Sequence, residues 1–65
     1  MDEKVLQVLI LKLEEQKQRY TEQVIDGKCS DFAVYKELSG VIRGLATAQS
    51  EVHDLLRKLK DADEN

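Results

Sequence analysis

Tyr35, Leu38, Ile42, Leu45, Gln49, Val52, Leu56 and Leu59 follow one another in strictly alternating steps of three and four. A helix gathers positions so spaced into one narrow seam, whereas a strand would scatter them over both of its faces. Held over more than three heptads, the spacing is that of a coiled-coil a/d seam. Val34, Val41, Ala48 and Leu55 each stand one place before an a position and widen the apolar stripe. Ser30 or Asp31 can cap the start of this helix by accepting an unpaired backbone N–H. Arg57, Lys58 and Lys60 fill its last turn, where cations complement the helix dipole. A helix is predicted over 31–60, with 61–65 an acidic tail that frays.

The first half supports a second helix. Asp2 to Asp26 holds no glycine or proline, and Leu6, Leu9, Leu13, Tyr20 and Val24 mark one face, the gap being bridged by Gln16 or Lys17. Asp2 and Glu3 suit the N-terminal end of the dipole, and Asp26-Gly27 reads as a stop, because glycine accepts the left-handed conformation of a C-terminal cap. A helix over 2–26 and a turn at 27–30 then make the whole chain, 1–65, one all-α antiparallel two-helix hairpin. Folding at that turn puts Val24 near Ala33, Leu13 near Gly44 and Leu9 near Ala48. Gly40, Gly44 and Ala48 would form a strip for close packing against the first helix or a neighbouring chain. Such packing would offset the ~1 kcal/mol each glycine costs a helix. The alternative is that both glycines are simply tolerated at exposed sites.

A lone hairpin cannot bury everything apolar here. Val5, Leu6, Val8, Leu9, Ile10, Leu11 and Leu13 surround most of the first helix, while a helix packed on one side needs a stripe of only about 100°. The longer second helix would also carry Leu55, Leu56 and Leu59 near or beyond the N-terminus. With 65 residues and one cysteine, the chain has neither a large core nor an internal disulfide, so self-association into a four-helix bundle or higher oligomer is expected. Docking onto another protein is the second use of the same surface. Leu6, Leu9, Leu13, Ile42, Leu45, Val52, Leu56 and Leu59 are the expected assembly residues, with Val5, Val8 and Leu11 making further contacts. Gln49 in the seam can fix register and oligomeric state at some cost in stability. Tyr20, Tyr35 and Phe32 near the turn form either an aromatic plug or, with Lys36, a recognition patch.

Catalysis is not expected. The chain has one histidine and one cysteine and lacks a glycine-rich phosphate loop. His53 has Leu56 and Arg57 where a second ligand would stand, so no metal and no cofactor are expected. Cys29 lies far from that histidine along the hairpin and reads as an ordinary thiol. Thirteen acidic against ten basic residues leave a net charge of −3, which disfavours nucleic acid as a partner; the Arg57–Lys60 cluster is short and followed by acids. Glu14, Glu15, Lys17, Arg19 and Glu22 read as a solvated face. Val5–Leu13 is too short to span a bilayer, and a reducing cytoplasm is the expected location.

The run from Asp31 through Tyr35-Lys36-Glu37-Leu38-Ser39-Gly40-Val41-Ile42-Arg43-Gly44-Leu45, followed by Val52, Leu55 and Leu56, resembles short helical proteins of tailed bacteriophages. These carry a Tyr-Lys-x-Leu-x-Gly-x-Ile-x-Gly-Leu type of pattern after a brief turn, and the likeness covers about residues 28–59. It implies a virion-associated or accessory protein, in the virion or the host cytoplasm, and brings no catalytic residues with it. In architecture alone, an acidic hairpin dimer is also similar to the plasmid copy-control RNA-binding bundle, although no motif is shared. An RNA- or DNA-binding bundle and an inhibitor of a host protein are the competing expectations.

Overall fold

Each helix starts at an aspartate. The structure, a computed structural model, describes residues 2–27 and 31–64, and side chains up to 62. In it α1 spans Glu3–Ile25 and α2 spans Phe32–Glu64, and no strand occurs among the described residues. Asp2 keeps an extended backbone before α1, and its Oδ1 accepts the Lys4 N–H at 3.0 Å. Asp31 does the same for α2, accepting from the Val34 N–H at 2.9 Å. Both bonds satisfy a donor that the helix itself cannot pair. Ser30, the other capping candidate, lies outside the described residues, as do Lys28 and Cys29.

α1 stops as expected. Gly27 takes φ +71°, and its N–H donates to the Val24 carbonyl at 3.2 Å. A residue with a Cβ would be strained there by about 1–2 kcal/mol. α2, by contrast, does not end at Lys60 but continues to Glu64, so the expected frayed tail is helical over most of its length. Nothing between Arg57 and Glu64 interrupts a helix: there is no glycine or proline, and Ala62 and Glu64 favour the conformation.

The register of the hairpin departs from the expected one by more than a helical turn. The Gln49 side chain reaches Ile10, Glu14 and Lys17 on α1, where a fold at the turn alone would have placed Ala48 beside Leu9. Continuing that register at heptad spacing sets Leu6 opposite Leu56, Ile10 opposite Val52, Tyr20 opposite Ile42 and Val24 opposite Leu38. The interior line of α1 is therefore Leu6, Ile10, Leu13, Lys17, Tyr20 and Val24, none of them fully exposed. Ile10 takes the place expected of Leu9, which is exposed, and Lys17 rather than Gln16 bridges the gap. The physical reason is that alternating steps of three and four on both helices mesh in this register, whereas the expected one sets Leu13 of the α1 seam against Gly44, which stands off the α2 seam.

Three expectations change with the register. Gly40 and Gly44 are exposed, and a Cβ added to either would meet nothing within 4 Å, so the small-residue strip does not pack against α1. Ala48 is half-buried at its edge. Leu56 is buried and Leu59 half-buried rather than projecting, and Leu55 alone of the three is exposed. Tyr35 drops out of the seam and is exposed, because α1 has already ended where it stands. The molecule measures 52 × 15 × 14 Å. Its long axis is that of α2, which at about 1.5 Å per residue spans about 50 Å and overhangs the shorter α1 at both ends.

Candidate interaction surfaces

Among the described residues Leu6 and Leu56 are the buried apolar ones, at 1% and 8% exposure. Every other seam residue is only half-covered, because two helices alone enclose a line and not a volume. The unburied apolar residues divide by position. Val5, Val8, Leu9, Leu11 and Leu55 are exposed around the end where α1 begins. Ile25, Phe32 and Tyr35 are exposed at the end where α1 stops.

The first group is not spread evenly. Val5 and Leu9 are one turn apart on one flank of α1, and the antiparallel register brings Leu55 to the same side at a height between them. Val41 and Ala48, half-buried, continue this face along α2. Val8 and Leu11 stand farther round, on the side of α1 away from α2, and Leu11 is 63% exposed. The expected extra contacts at Val5, Val8 and Leu11 are thus available. Of the expected assembly residues, Leu6, Leu13, Ile42, Leu45, Val52, Leu56 and Leu59 are taken up wholly or partly within the hairpin, and Leu9 is left outside it.

At the other end Phe32 and Tyr35 do not plug the hairpin. Their rings are 6.2 Å apart and tilted by 33°, and Phe32 is 73% exposed. Ile25 falls on the same flank as these rings. The expected aromatic plug is therefore absent, because α2 begins beyond the end of α1 and its first turn has no helix beside it.

Polar chemistry concentrates at mid-height. Lys17 Nζ donates to Gln49 Oε1 at 3.0 Å and pairs with Glu14 Oε2 at 3.1 Å, while Gln49 Nε2 donates to that carboxylate oxygen at 2.7 Å. A longer contact of 3.5 Å runs from Nε2 to the Ile10 carbonyl. The Gln49 amide thus has its oxygen on a cation and its nitrogen on an anion. The hydrogen bond from Gln49, and then Lys17, hold the Glu14 carboxyl below its ordinary value. Glu14 and Lys17 are consequently part of the helix interface, where their mixed charge had suggested a solvated face. The available clue was spacing: Lys17 stands four residues after Leu13 and three before Tyr20.

Elsewhere the surface is conventional. Arg57 pairs with Asp54 at 2.7 Å, which lowers the charge the basic cluster can offer to phosphate. His53 is exposed. Among the described residues no group of three or more His, Cys, Asp and Glu side chains is placed to hold a metal ion, and no helix is long and apolar enough to cross a membrane. No family model matches the chain, and no curated protein or solved structure matches it either.

Proposed function

We propose that the chain is a non-enzymatic helical interaction module that assembles with copies of itself and holds a second protein. One observation carries this reading. Among the described residues two apolar side chains are buried, while eight large ones stay exposed. Exposed apolar groups gathered on a rigid frame mark interaction surfaces, since water is excluded from them only when something docks. The two ends serve different roles in this reading. The Val5–Leu9–Leu55 face joins copies, and the Ile25–Phe32–Tyr35 patch, pointing to the opposite side, receives the other protein.

The phage-like pattern from Tyr35 to Leu45 supplies the setting, a small virion component or an accessory protein acting on a host protein. A nucleic-acid-binding bundle is the competing class. It is weakened by the net charge of −3 and by the Arg57–Asp54 pair.

Light scattering over a wide concentration range at two salt levels tests the reading. The expected result is a mass at a whole multiple of 7.4 kDa, little changed by salt. A strongly helical species that stays monomeric throughout would remove self-assembly. Binding of mixed RNA or DNA that weakens steeply with salt would favour the competing class.

A further inference from the structure

We propose that a second copy of this chain covers the Val5–Leu9–Leu55 face, related by a two-fold axis parallel to the long axis of the hairpin. The inference rests on the self-assembly reading and specifies its geometry. In this arrangement α1 of each copy lies along α2 of the other at equal height, closing a four-helix bundle whose two connections sit at the same end.

The distribution of apolar groups selects this axis. On the face in question the exposed apolar side chains Val5, Leu9 and Leu55 crowd toward the start of α1, while the half nearer the connection carries Gln16, Gln23 and Glu37 around the half-buried Val41. A parallel two-fold sets the apolar half on the apolar half. A two-fold running across the hairpin at the height of Lys12 would press Val5 and Leu9 onto Arg19 and Gln16, stripping water from a guanidinium and an amide without supplying partners.

Charge selects the same axis. Lys12 and Glu51 stand at nearly equal height on this face, both exposed, and among the described residues no ion pair or hydrogen bond engages either side chain. The parallel two-fold brings Lys12 beside Glu51 of the other copy, and symmetry makes the pair twice. The crosswise axis, centred on these residues, stacks lysine on lysine and glutamate on glutamate.

The surface relief is compatible with this arrangement. Glu51, Val52, Asp54, Leu55 and Lys58 line a surface depression on α2. It lies at the height where Leu9 of the second copy arrives, with Leu55 and Val52 at its apolar part. The part of this face that both helices share runs the length of α1, 23 residues or about 35 Å, so it is an extended strip and not a single point of contact.

Reversing the charges tests the arrangement. Dimer dissociation constants would be measured by sedimentation equilibrium for the natural chain, Lys12→Glu, Glu51→Lys and the double variant, with circular dichroism confirming that each stays helical. Each single reversal places like charges together twice and is expected to raise the dissociation constant at least about ten-fold. The double reversal is expected to bring it back close to that of the natural chain. A dimer indifferent to the single reversals, or one the double reversal fails to restore, overturns the parallel two-fold and leaves self-assembly standing. A natural chain that remains monomeric at every concentration overturns self-assembly, and this arrangement with it.

Discussion

Both ends of the hairpin expose apolar side chains, but among the described residues only the end where α1 begins also buries some. Where α1 begins, Leu6 and Leu56 are buried, and the register sets them opposite each other. Where α1 stops, Ile25, Phe32 and Tyr35 are all exposed, although Phe32 and Tyr35 are the larger side chains. The difference is one of register. Burial in a helix pair requires a neighbour at the same height, and the meshing of two heptad seams leaves the first turn of α2 without one. A large exposed side chain in such a fold is therefore a statement about where its partner helix ends.

The sharpest way to break this comparison is to truncate one residue from each end. Leu6→Ala should destabilise by about 3 kcal/mol, from lost burial and the cavity left behind. In so small a domain that is enough to populate the unfolded chain visibly in a urea melt. Phe32→Ala should cost less than about 0.5 kcal/mol, as exposed substitutions do. Comparable losses from the two would mean that the turn end is packed and the register wrong.

Smaller effects sharpen the same contrast. Asp31→Ala removes the cap of the overhanging turn and should cost about 1 kcal/mol, with helicity lost selectively from the start of α2 in amide exchange. Gly44→Ala should stabilise the fold by up to about 1 kcal/mol, read as a higher melting temperature, since the added methyl meets open space. A destabilised alanine variant would show that something covers Gly44 after all.

The smallest effect is electrostatic. The Glu14 carboxyl is held below its ordinary value by Gln49 and Lys17, so the unfolded chain takes up a proton there before the folded one does. Its contribution to stability is complete above the ordinary glutamate range and is lost as pH falls through the lowered value. Glu14→Gln should flatten that part of the acid limb in a series of denaturant melts. An unchanged slope would show that the mid-height cluster does not hold the helices in register.

Much of the architecture is legible along the chain. The α2 seam, the absence of glycine and proline from α1, and the Asp26-Gly27 stop all act within a turn or two of themselves. Helix formation depends on such local terms, and the hairpin follows from a short connection between two amphipathic helices. Likewise Asp31 advertises its capping role by preceding the seam. Ile10 was harder to assign against Leu9, because nearly every residue from Val5 to Leu13 is apolar and the hydrophobic pattern alone does not choose a face. Glu14 and Lys17 were obscured for a different reason, since a long charged side chain can either reach solvent or cross to a neighbour.

Local sequence thus determined that this protein is two capped helices, each with an apolar seam, and where they begin and how α1 ends. Tertiary structure alone decided how far one slides along the other, because sliding changes no local interaction and only alters which side chains meet. That choice took Leu56 inside, left Leu9, Leu55 and Phe32 outside, turned Gly44 to solvent and paired Gln49 with Glu14 and Lys17. Every surface the chain can offer to a partner follows from it.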